Sequence, residues 1–243
     1  MRAFPRCFAP AVAVSKVVTV PPEEAHHLAH VLRLQPGDGV GLFDGMGGEW
    51  VGFVQTVTPD VTVEVVDVAS PAPEPPVRVT IGLGLLKGAQ MDAVVRDATM
   101  LGAFAIVPMA TQHVAVSRRA WQAGQALERW HRVALASARQ CRRAVIPAIG
   151  PVMRFETVLA ECGTDAIVMC VEPGHAVDAA MAGPGPAPAS ALVLVGPEGG
   201  WAPEEVEQAV RCGARLMPLG PRTLRAETAP TVALSVLWTH WGW

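Results

Sequence analysis

Two short stretches hold the residue types best suited to chemistry. Gly196-Pro197-Glu198-Gly199-Gly200 follows the apolar run LVLV, and LGPRTLRAETA, residues 219–229, follows RLMP. Glycine lets the backbone approach a ligand closely and take positive φ. Each stretch reads as a loop that ends a strand and precedes a helix. In an open α/β sheet the ligand crevice lies at the carboxyl ends of the strands. The two strands can lie side by side, so both loops are expected to converge on one small molecule. The first loop lacks the Lys-Ser/Thr of a nucleotide-triphosphate loop and is not G-x-G-x-x-G. A helix starting near Pro203 carries Glu204 and Glu205 in its first turn. Carboxylates there disfavour a bound phosphate and favour a neutral or cationic ligand. A second glycine run, Gly82-Leu83-Gly84-Leu85-Leu86-Lys87-Gly88, is a loose dinucleotide pattern. The acidic residue expected about 20 positions on is missing, because 104–110 reads FAIVPMA.

The elements that must position these loops alternate from residue 77 onward. VRVTIGLGLL reads as a buried strand. QMDAVVRDATML follows with Met91, Val94, Val95, Ala98 and Leu101 on a helical period. FAIVPM is a strand, and 117–143 a long helix with Leu127, Trp130, Ala134, Ala138 and Cys141 on its buried face. DAIVMCVE is another strand ahead of the two loop units, and a last helix ends in WTHWGW. Such alternation predicts an α/β domain with a mostly parallel sheet over 77–243. Residues 1–70 read instead as a small β-rich domain. VGLFDG, EWVGFVQTV and VTVEVVDV are strands, and a short helix is expected at 22–33. Between the two domains lies a proline-rich linker, 71–76, within ASPAPEPP; four prolines in eight residues favour an extended spacer.

Composition narrows the classes of function. The chain has 243 residues, is 51% hydrophobic and 17% charged, and carries a net charge of −3. No run approaches the roughly 18 apolar residues of a membrane span, and the start MRAFPRCFAP does not read as a signal peptide. Five scattered cysteines without a C-x-x-C pair suit reduced thiols in a cytoplasmic protein. Charge is uneven: residues 111–154 hold eight arginines and one glutamate. Arg129, Arg132, Arg139 and Arg143 fall in one sector of the long helix at about 100° per residue. That stripe could track a phosphate backbone, or it could be a solvated face. His26 and His30 have a metal-chelating spacing without a third ligand. Packing or a polar contact is the expected use, and no metal is assigned.

The pair LVLVGPEGGW-x-x-EE and LGPRTLRAETA resembles the cofactor loops of the SPOUT methyltransferases, in particular the bacterial ribosomal RNA small-subunit uridine N3-methyltransferase family. The resemblance spans nearly the whole chain. Supporting marks are Arg6, Phe8, HHLAHVLRL-x-PGD (which includes Arg33), LFDG, Lys87 ahead of Met91-Asp92, and Leu101-Gly102. The resemblance implies a PUA-like N-terminal β-barrel that helps grip RNA. It also implies a C-terminal domain with a deep trefoil knot around S-adenosylmethionine, in a homodimer. Carried over by position, Glu172, Val195, Gly196, Pro197, Glu198, Gly199, Gly200, Leu219, Gly220, Leu224, Arg225, Thr228 and Ala229 are the expected cofactor contacts. Arg6, Arg33, Lys87, Arg129, Arg132, Arg139 and Arg143 are the expected RNA contacts, with 16S rRNA or an assembled small subunit as partner. Uracil N3 carries a proton that must leave before or during methylation. Arg225 and Glu227 are therefore the catalytic candidates: Arg225 to stabilise a developing oxyanion, Glu227 to orient it or accept the proton. The alternative is a salt bridge that only pins the loop. Departures stand at Arg96, Asp97 and Met100, where relatives usually carry Gln, Lys and Glu, at Arg139 for Glu, and at 111–113, where Thr-Gln-His replaces Ser/Thr-x-Arg. Those at 96–113 and 139 could compensate one another. Ala202 replaces a Ser/Thr N-cap. A methyltransferase acting on another RNA position and a non-catalytic RNA-binding or assembly protein remain open; a nicotinamide oxidoreductase comes last.

Overall fold

A computed structural model describes residues 4–115, 125–175 and 182–243 of the chain. The expected start of the long helix at Ser117 lies outside the described residues. The chain forms two compact units, residues 1–73 with 135–146, and residues 74–134 with 147–243. The linker is thus not the only boundary. A segment the sequence assigns to the second domain clusters with the first.

The first unit is built on five strands: β1 (Arg6–Phe8), β2 (Val17–Thr19), β3 (Gly39–Phe43), β4 (Glu49–Thr56) and β5 (Thr62–Ala69). Their order is β1-β3-β4-β5-β2. β1 pairs parallel to β3 and the other pairs are antiparallel. No rung joins β1 to β2 among the described residues, so the strands of the expected PUA-like β-barrel follow an open path. The helix expected at 22–33 is shorter. α1 (Pro22–His26) runs into one π-helical turn, His27–Val31, and Arg33 then takes a left-handed φ of 55°. The His26 and His30 rings pack against each other, tilted by 41° with centroids 4.8 Å apart.

The second unit carries a seven-stranded parallel sheet. Its strands are β6 (Arg78–Gly84), β7 (Ala105–Ala110), β8 (Ala148–Ile149), β9 (Met153–Arg154), β10 (Ala166–Val171), β11 (Ser190–Val195) and β12 (Arg215–Pro218). The order is β12-β10-β11-β6-β7-β8, with β9 also on β7. One expectation fails here. The two loop-bearing strands, β11 and β12, are not neighbours, because β10 lies between them. Its run AIVMCV is apolar enough to be covered on both faces, which suits an interior parallel strand.

The helices are α2 (Gln90–Met100), α3 (Gln125–Cys141), α4 (Phe155–Glu161), α5 (Pro203–Arg211) and α6 (Ala229–Trp241). α4 and α5 cover one sheet face, where Phe155, Val158, Val206 and Ala209 meet Leu192 and Leu194 of β11. Ala191, Val193 and Val195, on the other face of β11, are equally buried. α3 is shared: residues to Ala134 cluster with the second unit, and those from Leu135 with the first. Trp130, Ala134 and Ala138 are buried as its period predicts, while Leu127 and Cys141 are only half-buried.

Candidate active site

The carboxyl ends of β10, β11 and β12 enclose a cleft of about 330 Å³ within the second unit. Both glycine loops form its walls. Val195, Gly196, Pro197 and Glu198 come from the first, and Leu219, Leu224, Arg225, Glu227 and Ala229 from the second. Glu172, just past β10, also lines it. Gly199, Gly200, Gly220 and Thr228, expected as cofactor contacts, do not line it. Sequence reasoning missed several wall residues. Arg222, Thr223 and Ala226 are inside the second loop, and Trp201 directly follows the first, so contiguity could have found them. Cys170 and Gln90 had no such signal.

The local structure explains the glycines. Gly200 has φ of 72°, and a Cβ there would sit 2.7 Å from Glu172 Oε1. Only a residue without Cβ takes that conformation beside that carboxylate at low cost. Gly84 belongs to the loose dinucleotide pattern, and its missing Cβ makes room for the chain itself: a Cβ would lie 2.5 Å from Pro197 N. The space a pyrophosphate would need is filled by the first loop. Glu198 ties the two loops of this region, accepting a hydrogen bond from Lys87 N at 3.0 Å. Trp201, buried, donates its indole N–H to Cys170 O at 2.8 Å and so holds the first loop against β10.

Helix α5 begins without a side-chain cap at Ala202. The buried Glu205 supplies the missing half. Its carboxylate accepts Ala202 N at 3.0 Å and Gln112 N at 2.9 Å. The amino end of α5 is thus already served by a carboxylate, and an anionic ligand gains nothing there. Cys170 is no nucleophile, since burial pushes its thiol up to about 12.

Two features fit a polar, non-anionic ligand. Glu172 Oε2 is buried at the cleft and has no hydrogen-bond partner; His175 Nδ1, at 4.0 Å, is too far. A carboxylate oxygen in that state wants a donor such as a hydroxyl or an ammonium. The rest of the wall is mixed, with Val195, Leu219, Leu224 and Trp201 giving apolar surface.

The catalytic candidates are arranged unequally. Glu227 is half-buried, with a side-chain exposure of 21%, while Arg225 is 84% exposed, and the two are 3.7 Å apart. So open and long a pair contributes little on its own. A loop-pinning role for the pair is therefore weak. Backbone bonds do the pinning: Thr228 N and Ala229 N donate to Arg225 O at 2.9 and 3.0 Å as the loop winds into α6.

Of the expected RNA contacts, three are wholly or partly withdrawn from solvent. Arg6 and Arg143 are buried. The Arg6 guanidinium forks onto Glu49 at 2.9 and 3.1 Å, donates to Ala138 O at 3.1 Å, and lies 4.6 Å from the Phe43 ring centroid. It closes the carboxyl end of α3 inside the first unit instead of meeting solvent. Arg139 is half-buried and pairs with the buried Glu24 at 3.0 Å. Arg129 is exposed but bonded to Asp92 and Gly88 O. Arg33, Lys87 and Arg132 present exposed cations. Of the departures, Arg96 pairs with its neighbour Asp97, and Arg139 with Glu24.

Comparison with known proteins places this geometry. Residues 73–238 match the RNA methyltransferase domain family, and residues 20–65 the RNA methyltransferase PUA domain family. The chain is 33% identical over 233 residues to ribosomal RNA small subunit methyltransferase E of Synechocystis sp., covering 93% of this chain and 74% of that protein. It is 32% identical over 222 residues to the protein of the same name from Bacillus subtilis, covering 88% and 87%. Among solved structures, ribosomal RNA small subunit methyltransferase E from Neisseria gonorrhoeae bound to S-adenosyl methionine superposes with a TM-score of 0.88 at 26% identity, over 98% of both chains.

Proposed function

The chain belongs to the ribosomal RNA small subunit methyltransferase E family, and from that premise we propose that it uses S-adenosylmethionine to methylate N3 of a uridine in 16S rRNA. The observation that carries this reading is the cleft itself. Both family loops meet there, and its unpartnered Glu172 oxygen suits the hydroxyls or ammonium of that cofactor. Glu172, Val195, Gly196, Leu219 and Leu224 would hold it, with Gly200 and Gly220 shaping the loops. When bound, S-adenosylmethionine supplies an electrophilic methyl group.

The remaining task falls to the chain: alignment of an in-line attack and removal of one proton. Glu227, fixed at the cleft wall, accepts the proton from uracil N3. Arg225, unencumbered by a close partner, faces the uracil oxygen that gains charge as that proton leaves. Lys87, Arg33 and Arg132 contribute phosphate contacts, and the PUA-like unit adds grip on the RNA. The same reading gives the second unit a deep trefoil knot and the protein a homodimeric state, which sedimentation equilibrium reads directly.

Arg225→Ala and Glu227→Gln test the assignment. Each is expected to lower the single-turnover methylation rate by about 10²-fold or more, with S-adenosylhomocysteine affinity within about threefold of the parent (less than 1 kcal/mol). Full activity in both variants would remove the pair from catalysis.

A further inference from the structure

We propose that Gln90 is a positioning residue for Glu227, a role that rests on the assignment of Glu227 as the proton acceptor. Gln90 is 137 residues away in sequence, the first residue of α2, and lines the same cleft. Its Nε2 lies 3.2 Å from Glu227 Oε2. An ionised carboxylate only accepts, so the amide must turn its N–H towards Glu227.

The other neighbour of that carboxylate cannot fix it. Arg225 Nη1 stands 3.7 Å from Oε1 on an 84% exposed side chain. The amide is therefore the tighter tether of the two. It occupies Oε2 and leaves Oε1, 3.7 Å from Arg225 Nη1, without a close tether of its own. A base must sit within hydrogen-bond reach of the proton it takes. An untethered glutamate has three rotatable side-chain bonds, and loss of its tether spreads the carboxylate over several rotamers. α2 thus contributes to the chemistry through one side chain, although neither glycine loop includes it.

Three substitutions separate this role from simple support. Met, Glu and Lys are all good helix formers, so α2 stays intact in each, and the melting temperature checks this. Gln90→Met removes the donor at similar size. Gln90→Lys keeps a donor. Gln90→Glu sets a second carboxylate against Glu227, and two carboxylates sharing a site cannot both ionise easily. The expected result is a tenfold or larger fall in single-turnover rate for Gln90→Met, with S-adenosylhomocysteine affinity within twofold. Gln90→Lys should recover most of the rate. For Gln90→Glu the acid limb of the pH–rate profile should move to higher pH.

A double-mutant cycle completes the test. If Gln90 acts only through Glu227, Gln90→Met changes nothing further in a Glu227→Gln background. A rate loss in Glu227→Gln with none in Gln90→Met would overturn the positioning role alone. Additive losses, or equal losses in Gln90→Met and Gln90→Lys with an unmoved pH profile, would also overturn it. No rate loss in Glu227→Gln would overturn the underlying base assignment, and the positioning role with it.

Discussion

At the scale of single residues, the cleft depends on positions where a side chain is absent as much as where one is present. Gly200 is the sharpest case, with its φ of 72° and its approach to Glu172. Gly200→Ala adds a strained backbone of roughly 1–2 kcal/mol and a clash with Glu172 Oε1. The expected outcome is at least a tenfold weaker S-adenosylhomocysteine affinity by calorimetry, with the melting temperature lowered by only a few degrees. Unchanged affinity would mean that the first loop does not need this geometry to bind. Residues such as Gly200, Arg225 and Glu227 were legible in the sequence because they lie in two contiguous stretches. Gln90 was not. Nothing local distinguishes it from any polar residue at the start of a helix, and its meaning comes from a contact across 137 positions.

At the scale of elements, alternation of strand and helix was readable from apolar runs and periods, but the neighbour relations were not. β11 and β12 look adjacent because they carry the two loops; inserting β10 between them is a matter of non-local pairing. The same holds for the arginines of α3. Arginine is almost never fully buried unless paired, so a stripe of four reads naturally as surface. Only the fold reveals that α3 ends inside the first unit, where Arg6 bonds its terminal carbonyls and Glu49 at once. Arg6→Ala leaves the Glu49 carboxylate, only 11% exposed, without its partner. Breaking a buried pair from one side costs about 3–5 kcal/mol. The expected result is a loss of that size in denaturant unfolding of the first unit, with cofactor affinity retained. A change under 1 kcal/mol would show that the network is dispensable. Arg6 is engaged within the first unit, whereas Lys87 and Arg132 are exposed cations.

At the scale of the whole molecule, net charge of −3 concealed an RNA-directed function. The useful cues were local, the two glycine loops above all. What no local cue supplied was the strand order of the second unit, because that order is a matter of non-local pairing. The central claim is the reaction, and it has a direct measurement. Labelled S-adenosylmethionine is incubated with small ribosomal subunits and with naked 16S rRNA, and the modified nucleoside is identified by mass spectrometry. The account predicts label in N3-methyluridine, lost in Glu227→Gln. Label in a different nucleoside, or none on either substrate while S-adenosylhomocysteine still binds, would contradict it.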